Sequence, residues 1–196
     1  VRRDQEGGLG SNPASGDRRT ADDPKPYVIG LASADEVAAL PGIEARACSL
    51  FDTVPATASL PEYPTPIDDF IEAQRQGLLW VARAPGAGPV GFALAERLGD
   101  DLHLEELDVL PEHGRRGIGT ALLRTVRAQA ASERRRLTLT TFKDVPWNRP
   151  FYERLGFHVL DDDALTPGLA ERVEEETAAG LPRALRVVMA LEAPPR

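Results

Sequence analysis

Three apolar runs, LLWVARA (78–84), VGFALAERL (90–98) and LHLEELDVL (102–110), follow one another across the short connections PGAGP and GDD. This crowding is the strongest constraint on the fold. Two parallel strands need a crossover of about a dozen residues or more, which these connections cannot supply. Glycine-bearing turns of this length join antiparallel hairpins instead. The middle of the chain is therefore expected to form an antiparallel meander.

The pattern changes after the third run. From Gly117 to Ser132, Ile118, Leu122, Val126 and Ala130 recur every four residues, with Ala121 and Leu123 widening the stripe, as in a long amphipathic helix. RRRLTLTTF (134–142) then reads as a fifth strand, expected to run parallel to the fourth across that helix. WNRPFYERL reads as a short helix closed by Gly156, FHVL as a sixth strand, the residues after Pro167 as a helix, and ALRVVMALE as a last strand. Upstream, YVIGLA from Tyr27 reads as a first strand, and Ser33-Ala34-Asp35-Glu36 as a capping box opening a helix to about Leu50. Thr65-Pro66, with Asp68 and Asp69 behind it, reads as the N-cap of a second helix ending at Gly77. The fold class is α+β.

The 196 residues suit one domain. Residues 1–26 are rich in Gly, Asp, Arg, Ser and Pro without apolar periodicity, and are expected to be a disordered tail before a single domain over 27–193. The segment 161–182 reads as a helical insertion before the last strand. Between Asp161 and Gly180 it carries seven acids and one base, hence −6 of the net charge of −8. That balance argues against nucleic acid as the main partner. The insertion is read either as a wall of an acceptor pocket or as surface decoration. Cys48, the single cysteine, sits in the apolar stretch ARACSLF and is read as a core residue. His103, His113 and His158 lack metal-ligand spacing, so no metal site is expected. No apolar stretch is long enough to span a membrane and no signal-peptide pattern opens the chain, so the expected location is cytoplasmic.

The turn joining the fourth strand to the long helix, LPEHGRRGIGT, carries three glycines. Glycines let backbone amides approach a ligand closely, and a helix start adds a positive dipole end, so such turns suit phosphates. The dinucleotide fingerprint fails, because Leu122 stands where its third glycine belongs. The nucleotide P-loop is poor, because Thr120 stands where its lysine belongs. Gly117-Ile118-Gly119 instead resemble the second half of the [Q/R]-x-x-G-x-[G/A] turn of the GNAT N-acetyltransferases. NRPFYERLGF resembles that family's second marker, a tyrosine (Tyr152) shortly before Gly156-Phe157. The resemblance covers about residues 27–160 in element order and is specific from Leu102 to Phe157. The family's Gln/Arg position is Gly114 here, and arginines follow at Arg115 and Arg116.

The resemblance implies a mixed, mostly antiparallel sheet of about seven strands, splayed between strands 4 and 5 and flanked by helices. It implies acetyl-CoA as co-substrate, with the pyrophosphate on the amides of Arg115, Arg116, Gly117, Ile118, Gly119 and Thr120. The pantetheine arm would run along Leu107, Val109 and Leu110. Asn148 is a candidate contact to that arm, because Val145 stands where the family often has asparagine. Pro111 cannot donate a ladder hydrogen bond, so pairing of the fourth strand is expected to stop there. The implied reaction is acetyl transfer to a primary amine by direct attack in a ternary complex. Tyr152 is the implied proton donor to the leaving thiolate; read alone, a tyrosine on an amphipathic helix is more often a packed core residue with a bonded hydroxyl. Strict alternation would place His103, Glu105, Leu107 and Val109 on one face of the fourth strand and Leu104, Glu106 and Asp108 on the other. The resemblance implies that the base, when there is one, comes from the positions matching Glu105 and His103; the alternative is water, and Glu106 is read as structural. Protein N-termini, lysines and small amines are all open as acceptors, and a homodimer is compatible with the resemblance. Two other readings of the same fold are a non-catalytic acyl-CoA-binding sensor or regulatory module and a transferase of longer acyl groups.

Overall fold

A computed structural model describes residues 27–61 and 63–193. The expected disordered tail lies outside the described residues. Seven strands form one sheet: β1 (Val28–Leu31), β2 (Leu79–Ala84), β3 (Gly88–Leu98), β4 (Asp101–Val109), β5 (Arg136–Phe142), β6 (His158–Val159) and β7 (Arg186–Leu191), in the spatial order β1-β2-β3-β4-β5-β7-β6. The meander β2-β3-β4 is antiparallel, as the short connections require. Among the described residues the one parallel pair is β4-β5, spanned by α3 (Ile118–Glu133). Together with α1 (Leu40–Cys48), α2 (Ile67–Arg75), α4 (Asn148–Arg154) and α5 (Pro167–Ala178) this is the splayed GNAT fold.

The core follows from two periodicities. On α3, Ile118, Leu122, Leu123, Val126 and Ala130 are buried, and they pack in one cluster with Leu102 and Leu104 of β4, Leu137 and Leu139 of β5, and Met189 of β7. Burying a leucine such as Leu122 contributes about 1.5–3 kcal/mol. The opposite face carries a smaller cluster of Leu160, Leu169, Val188 and Ala190, under α5.

The first helical region departs from expectation. A 3-10 turn (Val37–Ala39) precedes α1, and another (Ser49–Thr53) follows it. Pro41 lacks the N–H that would bond back to Val37, so a continuous helix from Ser33 cannot form. Glu36 does accept from the Ser33 N–H at 2.9 Å, but the Ser33 hydroxyl also donates to that carboxylate. The Glu36 amide goes to the Ser33 carbonyl at 3.1 Å. Glu36 also receives both Nε and Nη2 of Arg83 at 2.6 Å. That pairing holds its carboxyl low, at about 2, and ties the segment to β2.

The second helix starts one residue later than expected. Pro66 is its N-cap, and Thr65 instead donates its amide and hydroxyl to Glu44 of α1, both at 2.9 Å. Its end is as expected: Gly77 has φ 69°, and the Leu78 N–H reaches the Ala73 carbonyl at 2.8 Å, a Schellman closure. Among the described residues no helix is long and apolar enough to cross a membrane.

Candidate acetyl-transfer site

The site begins where β4 leaves β5. Their register runs from Asp101↔Arg136 to Leu104↔Leu139 and stops. The break is therefore at Leu104, seven residues before Pro111, where pairing was expected to end. Pro111 does not set it, because the Leu110 N–H still bonds the Val90 carbonyl at 2.9 Å on the β3 side. The cause is a bulge. On β3, Ala95 pairs with Leu104 and the next residue, Leu94, pairs with Glu106. Glu105 is thus the extra residue, and a bulge bends its strand and increases its twist. Beyond it, the edge of β4 facing β5 has no strand partner, which leaves backbone groups for a peptide-like ligand.

The bulge also overturns the alternation read from sequence. Cross-strand partners share a face. Glu96 pairs with His103, Leu94 with Glu106 and Phe92 with Asp108, whereas Ala95 pairs with Leu104 and Ala93 with Leu107. Leu94 and Glu96 lie two apart on β3, so His103, Glu106 and Asp108 share one face, and Leu104 and Leu107 share the other. Glu105 turns to the His103 side, where Arg172 Nη1 donates to its Oε1 at 3.3 Å. Leu107, Val109 and Leu110 are half-buried and pack on the main core.

A cavity of about 150 Å³ opens on that side, lined by Asp69, Glu72 and Gln76 from the α2 region, Glu96 from β3, Glu105 from β4 and Arg172 from α5. From the 161–182 segment, Arg172 reaches this cavity. Burial, then Glu96, pushes the Glu105 carboxyl up to about 7, against the pull of Arg172. A carboxylate near neutrality is suited to accept a proton at physiological pH. His103 differs: it is 1% exposed, its Nδ1 lies 3.0 Å from Thr138 Oγ1, and burial followed by Arg172 and Arg186 lowers it to about 3. It is a neutral imidazole inside the sheet.

Behind the bulge lies a group that sequence reasoning missed. Glu44 of α1 is 3% exposed and Asp108 is 8% exposed, and Glu44 Oε2 and Asp108 Oδ2 have no hydrogen-bond partner among the described residues. Burial, then Glu44, pushes Asp108 up to about 8. Burial, then Asp108 and Glu44, raises Glu106 well above the usual carboxylate range. The available signal was EELD itself, three acids in four residues on a strand inside a meander. Cys48, expected in the core, is exposed. Enough protein surrounds it that burial, followed by Asp108 and Glu106, still pushes its thiol up to about 12, and such a thiol is a poor nucleophile.

On the other side of the split, a 3-10 turn (Pro111–His113) leads through Gly114 and Arg115 to Gly117, the N-cap of α3 at φ 80°. No side chain caps the helix, and the Ala121 N–H closes its first turn on the Gly117 carbonyl at 3.0 Å. The amides of Ile118, Gly119 and Thr120 therefore lack intrahelical partners, which is the arrangement a phosphate group fits. Arg116 donates to the Tyr27 hydroxyl at 3.1 Å, while Arg115 is exposed with φ 56°. A Cβ on Gly119 would lie 3.7 Å from Phe151, so α3 starts close against α4. At Gly117 no atom crowds a Cβ, but its φ disfavours any side chain. Gly117→Val is accordingly expected to cost about 1–2 kcal/mol of left-handed strain in the turn, which chemical denaturation checks.

Tyr152 on α4 is half-buried, with its ring centroid 5.1 Å from Phe151 and 5.7 Å from Phe157. Burial, then Glu106 and Asp108, raises its hydroxyl above the ordinary tyrosine value, so it is a neutral O–H donor. Asn148 begins α4 and donates Nδ2 to Thr141 Oγ1 at 3.0 Å. Val145 is 1% exposed and belongs to the interior.

Residues 75–159 match the family model described as an acetyltransferase (GNAT) domain. The fold is also found in solved structures of low identity. The ribosomal-protein-S18-alanine N-acetyltransferase from Escherichia coli is 19% identical, with 87% of this chain and 96% of that chain covered and a TM-score of 0.60. The PaiA N-acetyltransferase from Thermoplasma acidophilum, solved with coenzyme A, is 15% identical, with 85% and 98% covered and a TM-score of 0.62. A Mycobacterium tuberculosis protein solved with CoA and NLQ is 19% identical, with 85% and 99% covered and a TM-score of 0.64.

Proposed function

From the match of residues 75–159 to the GNAT acetyltransferase domain model, we propose that the chain transfers the acetyl group of acetyl-CoA to a primary amine by direct attack in a ternary complex. The observation that carries this reading is the Glu105 bulge. It parts β4 from β5 and at the same residue delivers a carboxyl near neutrality to an acid-lined cavity.

The residues present fit acetyl-CoA. The free amides of Ile118, Gly119 and Thr120 would hold its pyrophosphate, and the unpaired edge of β4 from Glu105 to Val109 would hold its pantetheine arm. When bound, acetyl-CoA supplies an activated thioester carbonyl. Glu105 accepts the proton that the amine, with an ordinary pKa around 10.4 for a lysine-like group, must lose as the C–N bond forms. Backbone N–H groups of the β4 edge would stabilise charge on the carbonyl oxygen. Tyr152 gives its proton to sulfur as the C–S bond breaks; Glu105 then releases its proton to solvent and Tyr152 regains one from solvent, so that the net change is a proton moved from amine to thiol. His103 is assigned no proton transfer, since an imidazole at about 3 is too weak a base. The acids Asp69, Glu72, Glu96 and Glu105 suit a cationic acceptor.

Tyr152→Phe is expected to lower kcat about tenfold, less than most general acids contribute, because a thiol of pKa about 8.5 leaves well unaided. Full kcat in that variant removes the donor role. The activity itself is tested by CoA release from acetyl-CoA with a panel of peptides bearing free N-termini, lysine peptides and small amines. Tight acetyl-CoA binding without turnover on every acceptor would favour the sensor reading instead.

A further inference from the structure

We propose that Arg172 is a positioning residue for Glu105, carried by α5 into the gap between Glu96 and Glu105 to keep a carboxylate available at the cleft. The inference rests on the reading of Glu105 as the base.

The helix is built to deliver this side chain. Leu169, Arg172, Val173 and Glu176 fall at positions i, i+3, i+4 and i+7, one face of a helix. Leu169 is fully buried. Gly168 approaches Leu98 so closely that a Cβ would lie 3.5 Å from it. Thr166, at the N-cap, donates to Asp101 Oδ2 at 3.0 Å. One turn beyond Arg172, Glu176 accepts from Thr140 and pairs with Arg186 at 3.1 Å. Arg172 is thus held between two anchors. Its guanidinium divides between two strands: Nη2 donates to Glu96 Oε1 on β3 and Nη1 to Glu105 Oε1 on β4. Nε lies 3.7 Å from Glu175 of its own helix.

The charges around Glu105 show what this does. It is faced by Glu96 from β3, Asp69 from α2, Arg172 and Glu176 from α5, and Glu106 from its own strand, while Glu72 lines the same cavity. Of these, Arg172 is the one cation. Burial and the surrounding acids all favour the protonated carboxyl, and Arg172 alone opposes them. Without it, Glu105 would be protonated, and unable to accept a proton, over most of the neutral range. A helix absent from the turn motif and from the tyrosine marker would then set the working pH of the reaction.

Carbon-13 NMR of the full chain labelled at the glutamate carboxyls follows this titration without any acceptor, and loss of a resonance in Glu105→Gln identifies it. The wild-type midpoint is expected near 7. Arg172→Gln should raise it by about one pH unit or more, the usual influence of a charge at this range. Arg172→Lys should recover part of the difference, and Glu96→Gln should lower the midpoint by removing a repelling carboxylate. A wild-type midpoint in an Arg172→Gln protein that still unfolds cooperatively overturns the proposal. Should that variant not fold, a Glu96→Gln midpoint that stays or rises does so. Full activity in Glu105→Gln, by contrast, overturns the base reading and leaves the Arg172 midpoint as it was measured, so the two failures are distinguishable.

Discussion

Glu105→Gln is expected to lower kcat/KM by about a hundredfold to ten-thousandfold, the usual contribution of a positioned base, and at the same time to stabilise the protein above neutral pH. In the wild type the base must be ionised, so kcat/KM should rise with pH and level off above about 7. The stability effect has the opposite sign. The folded carboxyl sits near 7 and the unfolded one near its ordinary 4.5, so between these values the folded state binds more protons than the unfolded state. Stability therefore falls as pH rises through that window, and the penalty is complete above about 7. A neutral glutamine removes it, by about 1–3 kcal/mol after allowing for solvent at a partly open site. Parallel pH-rate profiles and urea melts at pH 5 and pH 8 check both halves. A Glu105→Gln enzyme with the wild-type profile, or one no more stable than wild type at pH 8, counts against Glu105 as a buried base.

Asp101→Ala is expected to cost about 3–5 kcal/mol of stability, the range for breaking a buried ion pair from one side. Asp101, 3% exposed at the start of β4, takes Nε and Nη2 of Arg136 on its two oxygens at 2.9 Å each and the Thr166 hydroxyl at 3.0 Å. It sits in the first register pair of the β4-β5 ladder, so one side chain joins both arms of the split and the start of α5. Its removal leaves Arg136 without its buried partner, and that unpaired charge carries most of the cost. Arg136→Met added to Asp101→Ala should therefore recover much of the loss. Chemical denaturation is the measurement, and a loss under about 1 kcal/mol would class the pair with ordinary surface bridges.

The elements were legible because they rest on local rules. Connections of a few residues between apolar runs leave only hairpins, and the four-residue spacing from Ile118 to Ala130 leaves only a helix. The glycine turn was legible for the same reason, since the left-handed φ of Gly117 is a property of that residue. Two expectations failed for different reasons: Pro41 interrupts the first helix locally, and Thr65 is drawn away from its capping role by Glu44, which the fold brings to it from α1. The faces of β4 were misread because alternation presumes an unbulged strand, and nothing in LHLEELDVL marks Glu105 as the extra residue. That is settled by β3, which pairs Ala95 with Leu104 and Leu94 with Glu106.

The sequence by itself therefore determined the meander, the crossover helix and the open turn between them, because each depends on spacing and backbone chemistry within about twenty residues. Only the tertiary structure decided which carboxyls meet at the cleft. Glu105 reaches its pH range through Glu96 nine residues away, Arg172 sixty-seven residues away and the burial they share. Electrostatics in a desolvated site depends on distance through space, which a residue's place in the chain does not encode.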